Sequence, residues 1–258
     1  MITHRQGMAG PVEKCIGRMQ AIARRGRATS VELAVLADWL GSECKVIQRC
    51  AARTLAALDR HRSVVHPLLL QRLRDKSVHA QWGALYALAL MERLPVDALP
   101  ILLRALGSQD GDVRWAAAHM LVRMMGQPGV ANAVRAVAGT GGAAQRKMAA
   151  YCLRDFGLST SETESALLGR LMDEHPDVRL AAVAGLSRVA CDRVRVTREL
   201  ISLIFKDPHQ GVRRAAAVAL GRLGNGSPDV ISALRRAARG ADISLRRAAE
   251  RSLLVLRV

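Results

Sequence analysis

The chain has 258 residues, of which half are hydrophobic but only 3% are aromatic, and its formal net charge is +17. Its five cysteines are odd in number and form no CxxC pair, which argues against a disulfide framework and against a zinc site of the usual spacing. No apolar run reaches the roughly 18 residues that span a bilayer, and the amino terminus lacks the apolar segment of a signal peptide. These features predict a cytoplasmic protein with reduced cysteines.

From the amino terminus, the pattern predicts a tail and one unpaired cap helix within residues 1–28, the helix itself at about 11–25. Beyond residue 28, apolar residues recur with helical spacing in alternating stretches, which predicts pairs of a shorter A helix and a following B helix. Thr29 with Glu32, and Ser161 with Glu164, have the spacing of a capping box and mark two A-helix starts. The A helices are predicted at 31–40, 66–74, 97–106, about 128–138, 164–172, 197–205 and 229–238, and the B helices begin near 46, 78, 113, 145, 178, 212 and 245.

Each predicted B helix carries one copy of a nine-residue phrase. The copies are IQRCAARTL, VHAQWGALY, VRWAAAHML, QRKMAAYCL, VRLAAVAGL, VRRAAAVAL and LRRAAERSL, and they begin at Ile47, Val78, Val113, Gln145, Val178, Val212 and Leu245. The starts are 31 to 35 residues apart, a period typical of stacked repeats. The first, fourth, fifth, eighth and ninth residues form one apolar stripe along a helix. The phrase predicts an all-α protein, a right-handed solenoid of about seven antiparallel helix pairs, with residues 29–258 as one continuous domain.

The phrase resembles the HEAT repeat, and most closely its short phycobilisome-lyase form. The residues that carry the resemblance are D-V-R-x-A-A at Asp112–Ala117 and at Asp177–Ala182, and the segment from Gly211 to Gly224. The resemblance covers about residues 29–256 and implies that an arginine in the second position of the phrase joins an aspartate in a buried ladder between repeats. The arginines expected in this structural ladder are Arg114, Arg146, Arg179, Arg213 and Arg246. Gln48 and His79 occupy the same position in the first two copies, which are therefore expected to be less regular.

The third, seventh and tenth residues of each copy, here called the outward positions, lie about 180 to 240° around the helix from the apolar stripe. In HEAT-like solenoids the B helices line the concave side, so the resemblance implies that these residues form an inner surface. None of the 21 outward positions holds an acidic residue. The predicted partner-binding residues are Arg49, Arg53, Trp115, His119, Lys147, Tyr151, Arg154, Arg214, Arg247 and Arg251.

The aromatic residues of this set have two interpretations. Trp115 and Tyr151, beside basic side chains, can stack on nucleic-acid bases or anchor a peptide, or else pack against a neighbouring helix. In the second copy the outward positions hold Ala80, Ala84 and Ala87. Trp82 and Tyr86 of that copy fall on the apolar stripe and are predicted to lie in the core, as is Trp39 of an A helix.

The function predicted from these observations is a non-enzymatic scaffold or adaptor that holds an acidic protein or peptide on a basic concave face. Two alternatives stay open: a nucleic-acid-binding protein, similar in architecture to alkylpurine DNA glycosylases, and a HEAT-like lyase or modifying-enzyme subunit. The charge can also reflect composition alone, because only five of the 39 basic residues are lysine. No catalytic residue, metal ligand or cofactor is predicted, and Leu254, Val255 and Val258 leave self-association through the carboxy-terminal helix open.

Overall fold

The computed structural model describes residues 9–59, 64–224 and 226–257, which form α-helices and one 3₁₀ turn, at Val96–Ala98, but no β-strand. Residues 1–8 of the predicted tail, and Val258, lie outside the described residues. The helices are α1 (Ala9–Arg25), α2 (Ser30–Trp39), α3 (Lys45–Asp59), α4 (Val65–Arg72), α5 (Val78–Leu90), α6 (Leu99–Ala105), α7 (Gly111–Arg123), α8 (Val130–Thr140), α9 (Ala143–Phe156), α10 (Ser161–Leu168), α11 (Pro176–Val189), α12 (Arg193–Lys206), α13 (Gln210–Leu223), α14 (Pro228–Ala238) and α15 (Ile243–Leu256). The all-α solenoid predicted from the repeated phrase is confirmed. Within the described residues, no helix has both the length and the apolarity that crossing a bilayer requires.

The chain divides into two compact units, Met1–Ile101 and Leu102–Val258, and α6 crosses the boundary between them. In the first unit the B helices α3 and α5 pack side by side, and the A helices α2 and α4 pack on α3 and α5 respectively. Helix α1 packs on α3 and buries Met19 and Ile22. The extent of one continuous domain over 29–258 stays a prediction.

In the second unit the B helices α7, α9, α11, α13 and α15 pack side by side in chain order. The A helices α8, α10, α12 and α14 each pack on the B helix that follows them. In α11 the apolar stripe is fully buried and includes Val178, Ala181, Ala182 and Leu186. The small alanine side chains let neighbouring B helices approach closely. Close approach is needed because the core has few large aromatic side chains to fill the space between helices.

One of the two predicted capping boxes forms, and the other does not. At α2 the Thr29 hydroxyl accepts from the Glu32 amide, and the Glu32 carboxylate accepts from the Thr29 amide. At α10 the cap is Thr160, whose hydroxyl accepts from the Thr163 amide. The prediction that Glu164 closes a box with Ser161 is wrong, because this buried carboxylate accepts instead from two backbone amides of the next repeat, at 2.7 and 2.8 Å.

The copy of the phrase in α5 begins two residues later than the sequence predicted. In the other six B helices the copy begins at the third helical residue, whereas Val78 is the first residue of α5, directly after the cap residue Ser77. Val78 is 65% exposed and therefore does not belong to the apolar stripe. The copy begins at Ala80 and runs AQWGALYAL.

This shift exchanges the core and outward residues of α5. Ala80, Ala84 and Ala87, predicted to be outward, are buried. Trp82 and Tyr86, predicted to lie in the core, are only partly buried and occupy the third and seventh positions, which are outward. The physical reason is that the first turn of α5 precedes the residues that touch its neighbours, so an apolar residue in that turn does not mark the stripe.

Candidate functional site

The arginine in the second position of the phrase lies at the junction of successive repeats. Arg179 is 8% exposed, and its Nε and Nη2 atoms donate to the Asp207 carboxylate at 2.7 and 2.9 Å. Its Nη1 atom donates to the carbonyl oxygens of Asp173 and Glu174, at 2.8 and 3.2 Å. One side chain thus ties together its own interhelical turn and the turn of the following repeat.

The same arrangement recurs on both sides of Arg179. Arg146 donates to the Asp173 carboxylate at 2.7 and 2.8 Å, and Arg213 donates to Asp242 at 3.0 Å. Asp173 therefore holds one arginine with its carboxylate and the next arginine with its carbonyl. Burial alone would raise the pKa of Asp173, but the hydrogen bonds from Arg146 and the His175 amide keep this pKa below its usual value.

The remaining two arginines of the predicted ladder are placed differently. Arg114 donates to the carbonyl oxygens of Ser108 and Gln109 at 2.6 and 3.0 Å but has no carboxylate partner among the described residues. The Arg246 side chain has neither kind of partner there, and no interhelical turn follows α15 among the described residues to supply a carboxylate. In α3 Gln48 takes the arginine's place and donates to the carbonyl oxygens of Leu40 and His79.

Three outward side chains of α7 and α9 are in contact and are here called the aromatic stack: Trp115, Tyr151 and Arg154. The rings of Trp115 and Tyr151 lie 5.5 Å apart between centroids, at an interplanar angle of 21°. The Arg154 guanidinium lies 4.9 Å from the centroid of the Tyr151 ring, within the range of a cation–π contact. Trp115 remains 44% exposed, so one face of the stack is open to solvent. His119 lies beside it, 6.4 Å from Trp115 between ring centroids.

The surface around the aromatic stack is less basic than the outward positions alone indicate. The Lys147 ammonium lies 2.8 Å from the Asp177 carboxylate, and the Arg154 guanidinium donates twice to Asp155. The hydrogen bond from Lys147 lowers the pKa of Asp177 below its usual value. Asp155 directly follows the outward residue Arg154, and Asp177 directly precedes the first residue of the copy in α11. Long basic side chains at outward positions reach both carboxylates.

The other predicted binding residues are exposed and lie on helices other than α7 and α9. In the first unit Arg49 and Arg53 project from α3. In the second unit Arg214 lies on α13, and Arg247 and Arg251 lie on α15, where the Arg251 Nε donates to the Arg247 carbonyl. The structure therefore brings together Trp115, His119, Tyr151 and Arg154, while the five remaining arginines of the set lie on other helices.

Sequence reasoning missed Trp82 and Tyr86 as outward residues. A usable signal was present, because an aspartate precedes the ladder arginine by six residues in two repeats, as Asp173 precedes Arg179. Asp75 precedes Gln81 by the same six residues, and the Gln81 amide donates to the Asp75 carbonyl at 2.8 Å. That spacing identifies Gln81 as the ladder residue and fixes the register of α5.

The described residues contain no group of three or more His, Cys, Asp or Glu side chains placed to hold a metal ion. Cys152 is buried in α9, and burial raises the pKa of its thiol to about 12.

Comparison with known proteins places the chain among helical repeat proteins. A family model described as HEAT repeats matches residues 66–154 and 164–254. The solved structure of YibA from Escherichia coli is 16% identical, with 96% of each chain covered and a TM-score of 0.59. The complex of CpcE and CpcF of phycocyanin lyase from Nostoc sp. PCC7120 is 19% identical over 75% of this chain and 77% of that one, with a TM-score of 0.44.

Human deoxyhypusine hydroxylase in complex with glycerol is 16% identical over 96% of this chain and 99% of that one, with a TM-score of 0.43. At these identities the likeness concerns the fold alone. A search of curated proteins found no sequence that matches the chain.

Proposed function

We propose, from the premise that this chain belongs to the HEAT-repeat family, that it is a non-enzymatic scaffold which binds a partner on the outward faces of its B helices. A repeat array exposes the same positions of each B helix in turn, and a partner bound there contacts several repeats. Such a surface needs no catalytic group to function.

The observation that carries this proposal is the aromatic stack. An exposed tryptophan that is already ordered against a tyrosine loses little conformational freedom when a partner covers it, which favours binding. Tryptophan, tyrosine and arginine are also the residues that contribute most to binding energy in protein interfaces. Trp115, Tyr151 and Arg154 combine all three types in direct contact.

An acidic protein or peptide is the partner that the charges favour. Arg214 and Arg247 are exposed and have no carboxylate partner among the described residues, so they are available to an anionic group. Asp155 and Asp177 pair with Arg154 and Lys147 beside the stack and so reduce its attraction for phosphates, which a nucleic acid presents at every nucleotide. A peptide can place its carboxylates at the arginines and an apolar side chain on Trp115.

Nucleic acid is the second candidate, and the same stack supports it. An exposed aromatic face backed by a guanidinium can stack on an unpaired base, an interaction worth about 1–3 kcal/mol. This candidate requires single-stranded rather than duplex nucleic acid, because paired bases do not expose their faces.

The experiment is a titration of three labelled probes: a glutamate-rich peptide, single-stranded DNA and duplex DNA, each over a salt series. We expect Trp115→Ala and Tyr151→Ala to weaken the preferred probe at least threefold without changing net charge. Met172→Ala is the matched control, since Met172 is highly exposed on another part of the second unit. Charge reversal at Arg247 and Arg251 should instead flatten the dependence of affinity on salt.

The probe that binds most tightly at physiological salt identifies the partner class. If neither aromatic substitution weakens any of the three probes more than the Met172 control does, the stack is a structural contact and the proposal is wrong.

A further inference from the structure

A groove lies between the A helices α12 and α14 of the second unit. It has a volume of about 450 Å³ and is lined by α12, by α14 and by Ser227 in the turn before α14. The apolar part of its wall consists of Val194, Ile201 and Phe205 on α12, together with Ala233 on α14. The residues of the aromatic stack take no part in this groove.

The groove exists because α12 carries two apolar stripes and the described chain covers only one of them. The first stripe is buried where α12 packs on α13, and includes Val196, Leu200 and Ile204. The second stripe contains the three apolar groove residues of α12, of which Val194 is 65% and Phe205 37% exposed. Apolar side chains that line an exposed groove are candidates for contact with a partner.

The rim of the groove is positively charged. Arg198 and Arg236 line it, and neither has a carboxylate partner among the described residues. The Arg236 guanidinium lies 3.5 Å from the centroid of the Phe205 ring, which holds the cation in place while its N–H groups stay free to donate. Arg235 and Arg239 continue the basic surface along α14, and Asp229 is the single carboxylate that lines the groove.

One residue of the groove wall has a buried hydroxyl without a hydrogen-bond partner. Thr197 is 5% exposed and lines the groove, yet its hydroxyl makes no hydrogen bond. A buried hydroxyl left unpaired costs free energy, and a bound group that pairs with it after the Thr197 side chain turns toward the groove recovers that cost. A peptide backbone carries both a donor and an acceptor suited to this hydroxyl.

We propose that this groove binds a short acidic peptide segment of a partner protein. The carboxylates of the segment pair with Arg198 and Arg236, and an apolar side chain packs on Ile201 and Phe205. The backbone of the segment hydrogen-bonds to the Thr197 hydroxyl. This is a second binding site, separate from the aromatic stack, and it does not depend on the function proposed above.

The test uses the full chain and a fluorescein-labelled peptide library of the form Glu-Glu-X-X-Glu-Glu, in which X is an apolar residue. Affinity is measured by fluorescence anisotropy at physiological salt. We expect Arg236→Glu to weaken binding at least tenfold. Arg222→Glu is the charge-matched control, because Arg222 is exposed on α13 outside the groove, and it should change the affinity less than twofold.

Thr197→Val separates a ligand contact from a structural role. The two side chains have nearly the same shape, and the hydroxyl has no partner, so the urea midpoint should stay the same or rise. We expect peptide binding to weaken at least threefold nevertheless. A structural role would instead lower the urea midpoint.

Several outcomes would overturn the proposal. These are no binding to the wild-type protein, equal losses from Arg236→Glu and Arg222→Glu, or unchanged affinity in Thr197→Val. Weaker binding in Trp115→Ala alone would place the peptide on the B helices and support the first proposal instead. A dimer in sedimentation that Arg236→Glu dissociates would show that the groove is occupied by a second copy of this chain.

Discussion

At the scale of single residues, the arginine ladder is the feature with the largest energetic consequence. Arg179 makes four hydrogen bonds, two to the Asp207 carboxylate and two to backbone carbonyls, and both charged groups are buried. A buried ion pair of this kind contributes modestly while it is intact, because desolvation offsets much of the attraction. Removing one member is costly, since the other charge stays buried without a partner.

We therefore expect Arg179→Ala to lower the free energy of unfolding by about 3 kcal/mol or more. Arg214→Ala should change it by no more than about 0.5 kcal/mol, because Arg214 is exposed on α13. Urea unfolding of both variants measures the difference. Equal losses would contradict the assignment of these two arginines to buried and outward positions.

At the scale of helices, the seven B helices begin within two residues of the positions that the phrase predicts, because apolar periodicity follows directly from which face is buried. The register of α5 was not predictable from that periodicity alone, since Val78 looks like a stripe residue but lies in the exposed first turn. The outward placement of Trp115 and Tyr151 was predictable, because the apolar periodicity of α7 and α9 identifies the buried face and therefore the opposite one. Their ring contact was not, because it depends on the distance between α7 and α9 and on rotamers that a pattern does not encode.

Gly83 gives a test of the corrected α5 register. A Cβ atom on this residue would lie 2.3 Å from the carbonyl oxygen of Leu40, so only glycine allows the backbones to come this close. Gly83→Ala should lower the free energy of unfolding by about 1–3 kcal/mol through overpacking.

The matched control is Gly17→Ala in α1, where a Cβ would meet nothing within 4 Å. This variant should gain about 0.5–1 kcal/mol, because alanine favours the helical backbone over glycine. If Gly83→Ala is tolerated as well as Gly17→Ala, α5 does not pack in the register described.

At the scale of the whole molecule, the repeat period was sufficient to predict the fold, whereas the partner was not predictable from net charge. A charge of +17 attracts polyanions in general, but carboxylates next to the outward positions compensate part of it at the aromatic stack. Which arginines are neutralised depends on how far side chains reach between neighbouring helices. Composition does not carry that information.

Self-association is also a property of the whole molecule, and the exposed residues of α15 leave it open. Leu254 and Val255 project into solvent next to each other. If a second copy covers them, Val255→Glu should convert a dimer into a monomer in sedimentation at tens of micromolar protein. Val31→Glu, at an equally exposed valine of α2, is the control and should behave like the wild type. A monomeric wild-type protein under these conditions would contradict the prediction.

The sharing of Asp173 and Asp207 between successive arginines has a consequence for how such a chain can lengthen. Asp173 and Asp207 each lie in the turn between an A helix and the B helix that follows it. A segment that begins in one such turn and ends at the same point of the next contains one aspartate and one arginine of the ladder. When gene duplication copies that segment in tandem, the new aspartate receives the preceding arginine and the new arginine finds the following aspartate. The array can therefore grow by one helix pair at a time without leaving a buried charge unpaired.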